Sequence, residues 1–128
     1  MSENIEKLVG VEVSTKYLRA VCLNQSGEIL DSAQTDVSQE SGIVGQIIEF
    51  IQTLKDKFGS FKKAGIAVSG LVDRRKNRVV LSAQIPTEVD LATEIESATG
   101  VEIFLENDAN SGAHGEYRQL YQAAYDGA

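Results

Sequence analysis

The stretch VEIFLENDANSGAHGEY, residues 101–117, decides how the chain folds. It begins as an apolar strand and ends as the opening of a helix. Glu106, Asn107, Asp108 and Asn110 crowd the junction, four carboxylate and amide side chains within five positions. Asp108 taken alone is explained as the N-cap of the helix that follows, because Asp accepts a bond from the first free amides. A cap needs only one such group, and three more stand in the same turn. A carboxylate there could act as a general base toward a hydroxyl, with Asn107 and Glu106 bonding neighbouring hydroxyls.

Working outward, the rest of the chain supplies a sheet for that strand to join. KLVGVEV, YLRAVCLN and GEILDSAQTDV read as three successive strands, and NQSGE is a turn around Gly27. They predict an antiparallel meander. SGIVGQIIEFIQTLKDKF places Ile43, Ile47, Ile48, Ile51, Leu54 and Phe58 at helical spacing, with Ser41 as the expected N-cap and Gly59 as the stop. KAGIAVSG is a short buried strand, LVDRRKNRVVLSA a ribbon turning at its basic tip, and DLATEIESATG a helix capped by Asp90 and ended by Gly100. ANSGAHGEYRQLYQAAYDG is the expected last helix. Antiparallel strands followed by β-α-β crossovers predict a mixed sheet with helices on its faces. On such sheets ligands gather beyond the carboxyl ends of the parallel strands, and LENDAN and AVSG both fall there.

Composition narrows the partners. The 128 residues fit a single domain, 1–128, and 42% apolar content is enough for a core. The net charge of −7 gives no basic face for a phosphate backbone, so direct nucleic-acid contact is not expected of this segment. Cys22 is the only cysteine and His114 the only histidine, which excludes a disulfide framework and a zinc knuckle; no metal site is expected. Cys22 in LRAVCL reads as a small buried hydrophobe. MSENIEK has no apolar core of a secretory signal, and no run is long enough to span a bilayer, so a cytoplasmic protein without membrane contact is expected.

Other polar positions carry two accounts each. Gly70, after a buried strand, is either a turn glycine or a place where backbone approaches a ligand. Glu12, Ser14, Thr15 and Lys16 form the first hairpin turn, which is polar for solubility or arranged to face a phosphate. Arg74, Arg75, Lys76 and Arg78 read as a solvated turn, with an anion contact as the lesser alternative. Tyr117, Tyr121 and Tyr125 form a packing stripe whose exposed face leaves self-association into a homo-oligomer open.

Over nearly its whole length the sequence resembles the ROK family (repressor, open reading frame, kinase), the glucokinase-like sugar kinases and regulators. AGIAVSGLVDRRKNRVVLSAQIP is similar to the family's segment of Gly, apolar, Pro-Gly, Val-Asp and Val-Leu-Ser-Ala, and DLATEIESATGVEIFLENDANSGAHGE to its helix, strand, Glu-Asn-Asp-Ala-Asn and Gly-Glu. The resemblance implies an α/β fold, the ribonuclease-H-like half-domain of actin-like ATPases, with a mixed five-stranded-type sheet. It implies that Asp108 is the catalytic base for a sugar hydroxyl, that Asn107 and Gly70 hold the sugar, and that ATP with magnesium serves the parent protein. Mg-ATP would face Glu12, Ser14, Thr15 and Lys16.

The sequence also departs from that pattern. Where the family has Asp, any residue, Gly, Gly, Thr, this chain has Glu12, Val13, Ser14, Thr15 and Lys16, so side chains replace the glycines whose backbone should meet phosphate. The family's Pro-Gly is Ser69-Gly70, and Gln84 stands in for its sugar-binding Asn. The family's second lobe, with the adenine pocket and usually a zinc motif, and the winged helix of its repressors are not in this sequence. The expectation is therefore the N-terminal lobe of a sugar kinase transferring the ATP γ-phosphate to a hexose, inactive alone, binding no cofactor tightly, with the missing C-terminal lobe and a small-molecule sugar as partners. The alternative expectation is a sugar-sensing regulatory module that has lost ATP use.

Overall fold

The structure, a computed structural model, describes residues 7–82, 84–86 and 88–107. Asp108, Asn110, His114, the tyrosine stripe and the expected last helix lie outside the described residues.

Among the described residues, seven strands and two helices follow in the order β1 (Leu8–Val13), β2 (Tyr17–Leu23), β3 (Ile29–Asp36), α1 (Ile43–Lys57), β4 (Lys63–Val68), β5 (Leu71–Asp73), β6 (Arg78–Leu81), α2 (Leu91–Thr99) and β7 (Glu102–Asn107). Five strands form one sheet in the order β3-β2-β1-β4-β7, and β5 with β6 makes a separate ribbon. β1–β2 and β2–β3 pair antiparallel, whereas β1–β4 and β4–β7 pair parallel. This is the expected mixed sheet, and each strand agrees with the alternation or apolar run that predicted it.

Burial follows position in the sheet. β1 sits at the centre and is buried along all six residues; β4 beside it is buried from Ala64 to Val68. Parallel strands covered on both faces need such continuous apolar runs. β3 at the margin is mostly exposed. Val9, Val11 and Val13 point to one face and meet the apolar stripe of α1, where Ile47, Ile51 and Leu54 are fully buried. α2 packs on the same face through Leu91, Ala92 and Ile95. The two helices are fastened at their ends, where Lys55 Nζ donates to Thr99 O at 2.7 Å and Gln52 Nε2 to Ala98 O at 3.3 Å. Successive strand residues alternate between faces, so Leu8, Val21 and Leu23 form a second, smaller apolar cluster on the other side.

Helix ends show which local signals governed. Asp90 caps α2, accepting from Thr93 N, and Gly100 ends it at φ +77°, a left-handed conformation that glycine adopts without strain. α1 differs from expectation. Its N-cap is Gly42 rather than Ser41, with no side-chain cap bond. Gln46 from the first turn reaches back instead: its Nε2 donates to the carbonyls of Ser38 and Ser41, both at 2.9 Å, and its Oε1 accepts from Ser38 N. A long amide one turn into the helix thus satisfies the incoming loop.

Candidate functional site

The parallel strands end in one row. Val13 of β1 is in register with Val68 of β4, and Val68 with Asn107 of β7. Adjacent strands lie about 4.8 Å apart, so the three carboxyl ends span roughly 10 Å. Ser14, Ser69-Gly70 and Asn107 therefore share a rim, the place where sheets of this kind present ligand sites. Asn107 has the same parity as Ile103 and Leu105, so its side chain leaves on the helix-covered face. Its Oδ1 is buried and has no hydrogen-bond partner among the described residues. Asp108 follows it in the chain, outside the described residues.

Gln84 is brought to the same rim from the far side of the ribbon. Ser82 Oγ accepts from Gln84 N and Ile85 N at 3.1 and 3.3 Å, which folds the chain back, and Ile85 is buried as the peg of that turn. Gln84 Nε2 then donates to Ser14 O at 3.0 Å. Its Oε1 is buried, like that of Asn107, without a partner among the described residues. Beside it opens a cleft of about 340 Å³, lined among others by Thr15, Ser38, Gln39 and Ser41, hydroxyl and amide groups without charge.

The first hairpin is closed upon itself. Ser14 N donates to Tyr17 O at 3.0 Å. The Ser14 hydroxyl accepts from Lys16 N at 3.0 Å and Tyr17 N at 3.4 Å. An anion at such a turn is held by backbone N–H groups left free to point at it, and here the amides of Ser14, Lys16 and Tyr17 are all spent inside the turn. Thr15 and Lys16 are exposed. Glu12 is buried on the opposite face of the sheet, in register with Arg19, and Arg19 Nη2 lies 3.2 Å from its Oε1. Arg19 also donates to the Tyr17 hydroxyl at 2.7 Å and stacks over the Tyr17 ring at 4.6 Å. Three amides of the turn and the Glu12 carboxylate are thus already engaged.

Gly70 has a steric reason of its own. Its φ is +123°, and a Cβ there would stand 1.9 Å from Leu81 O. The glycine is required by the close approach of β5 and β6.

The ribbon tip is more engaged than a solvated turn. Asp73 Oδ1 accepts from Arg75 N and Lys76 N, which shapes the turn, and Asn77 takes φ +55°. Arg75 and Lys76 are exposed as expected. Arg74 Nε instead lies 3.1 Å from Glu106 Oε1. Asn77 Nδ2 donates to Ile103 O at 2.7 Å, and Asn77 Oδ1 accepts from Leu105 N at 2.8 Å. Sequence reasoning missed Asn77. The only signal is that Asn tolerates the left-handed region and so suits a turn; its partners, 26 and 28 positions away, leave no local trace.

Cys22 is buried as expected, and burial pushes its thiol pKa up. Among the described residues no cluster of His, Cys, Asp or Glu could hold a metal ion, and no helix is long and apolar enough to cross a membrane.

Comparison with known proteins fits this geometry. The model of the ROK family matches residues 8–126. The chain belongs to the ROK family. It is 27% identical over 115 residues to a xylose repressor of Bacillus subtilis, covering 84% of this chain and 30% of that protein. It is 31% identical over 115 residues to a glucokinase of Thermotoga maritima, covering 86% of this chain and 36% of that protein. A ROK family glucokinase from Streptomyces griseus, solved in complex with glucose and AMPPNP, superposes with a TM-score of 0.68 at 25% identity, over 89% of this chain and 37% of that one. A ROK hexokinase from Thermus thermophilus gives 0.65 at 25% identity, over 81% and 36%. The fold is thus that of the ROK sugar kinases and regulators, and the chain spans about a third of the relatives it matches.

Proposed function

We propose that the chain is the sugar-recognition lobe of a regulatory ROK protein that binds a small sugar without using ATP. The first hairpin carries this reading: Ser14 consumes the amides of Lys16 and Tyr17, and Arg19 occupies Glu12. A phosphate arriving there would have to break bonds already made. At the sugar end of the rim, by contrast, Asn107 Oδ1 and Gln84 Oε1 have no partner among the described residues. Asn107 and Gln84 present amide groups, Gly70 gives backbone, and Asp108 supplies a carboxylate next to Asn107. Neutral hydroxyls are recognised by such paired donors and acceptors. The similarity to xylose repressors supports a sensing role. In this reading the protein is cytoplasmic, a second lobe closes over the sugar, and any DNA contact is made by another part of the protein, because this segment is acidic.

A sugar kinase is the second reading, favoured by the 31% identity to a glucokinase. There Asp108 takes the proton of the sugar hydroxyl, and the lobe alone is inactive because phosphoryl transfer depends on positioning between lobes.

The deciding experiment uses the full-length protein, with glucose, xylose and other hexoses and pentoses. A sugar that raises the melting temperature without ADP release in the presence of Mg-ATP supports the sensor, since a ligand that binds only the native state stabilises it. ADP release that disappears in Asp108→Asn overturns it in favour of the kinase. Neither signal rules out both.

A further inference from the structure

Among the described residues β7 is the last strand of the sheet, and one of its edges is paired with a strand. The outward-facing groups of such an edge need partners. Three of them in succession are met by side chains. Ile103 N donates to Glu96 Oε2 at 2.9 Å, Ile103 O accepts from Asn77 Nδ2 at 2.7 Å, and Leu105 N donates to Asn77 Oδ1 at 2.8 Å. The primary amide of Asn77 therefore does what one residue of a neighbouring strand would do, donating and accepting at once. One residue further, Arg74 holds Glu106 from the same turn. Asn107 comes next, the residue at the rim.

We infer that Asn77 is a positioning residue for sugar binding: by clasping β7 at Ile103 and Leu105 it sets where the carboxyl end of that strand, with Asn107, stands at the rim. Asn77 does not touch the sugar. Three features make the clasp a register device rather than surface decoration. Both bonds are short, and both go to one side chain, so a slide of β7 along its axis breaks them together. Asn77 holds the left-handed φ of +55° that aims its amide at the strand. The opposite edge of β7 is already in register with β4 from Lys63–Glu102 to Val68–Asn107, so the clasp fixes the free side of the same segment. Sites of this kind tolerate displacements of about 0.5 Å before affinity falls.

The inference rests on the proposed sugar recognition, and its test separates the two. Full-length wild type, Asn77→Gly and Asn77→Asp are compared by calorimetric titration with the sugar that stabilises the wild type. Asn77→Gly keeps the backbone conformation and loses both bonds. Asn77→Asp keeps the acceptor for Leu105 N and sets a second oxygen against Ile103 O. Amide exchange of Leu105, read in the same samples, reports the clasp itself. The expected result is faster exchange at Leu105 and about tenfold weaker sugar binding in Asn77→Gly, equivalent to one lost bond in effect. Asn77→Asp falls between the two. The exchange of α1 amides stays as in wild type. Faster Leu105 exchange with unchanged sugar affinity overturns the positioning role and leaves sugar recognition standing. A wild type that binds none of the sugars overturns both.

Discussion

Arg19 and Glu12 face each other across the β1–β2 pair, 3.2 Å apart, with the Arg19 guanidinium also stacked on Tyr17. Both lie on the face of the sheet away from α1 and α2, in one row with Ala67 and Glu106. A carboxylate this deep is stable because a guanidinium sits beside it.

Removing the guanidinium leaves that carboxylate without its cation. Arg19→Met is expected to cost about 3 kcal/mol in urea unfolding, near the lower end of what breaking a buried pair costs. The double variant Arg19→Met, Glu12→Gln should recover much of this. A single-variant loss within experimental error of zero would show that the pair contributes nothing.

Gly70 offers a sharper steric test. Its Cβ would enter the van der Waals shell of Leu81 O, and its φ is one that side chains avoid. Gly70→Ala should lose about 1–3 kcal/mol. Wild-type stability in this variant would mean that β5 and β6 can move apart at no cost.

If the first hairpin is spent on its own bonds, Mg-ATP is expected to leave the melting temperature of the full-length protein where it was. A rise that grows with nucleotide concentration would contradict the sensor reading, because only a native-state ligand gives it.

The Cys22 thiol is raised above its ordinary value of 9.0, chiefly by burial, with Lys7 pulling it down and Asp31 pushing it up. A raised folded pKa favours the protonated thiol in the native state. Its contribution to stability is therefore present below the unfolded value and lost as pH climbs through and above it. Stability of the wild type should fall above pH 9 more than that of Cys22→Ala, and native-state alkylation at neutral pH should track unfolding rather than thiolate chemistry. Fast alkylation of the folded protein would remove this account.

What could be read beforehand was whatever has a local period or a local cap. Ile47, Ile51 and Leu54 recur at helical spacing because one stripe of α1 meets the sheet. Asp90 and Gly100 mark α2 because a cap acts within a few residues. Gly70 in VSGLV has two accounts, a turn glycine or a close backbone approach to a ligand, and the contact with Leu81 O gives it a steric reason. Contacts between distant segments left no such mark. At the start of α1 the loop is held by Gln46 rather than by a Ser41 cap, because a long amide reaches the carbonyls of Ser38 and Ser41 and the amide of Ser38 at once. Asn77 looked like any turn asparagine, since its partners lie on a strand brought alongside only by the fold. Gln84 was placed near the rim by resemblance, but its bond to Ser14 O depends on the Ser82 turn, which has no periodic signature.

The two margins of the sheet are unequal. β7 has three of its outward groups held by Asn77 and Glu96, whereas β3 carries no further strand among the described residues and exposes Ile29 and Leu30 at its start. A strand added in a crystal, an assembly or a misfolded deposit would meet fewer side chains already in place along β3 than along β7, and it would meet Asp36 and the Asp31 carboxylate that Lys57 holds at 3.7 Å.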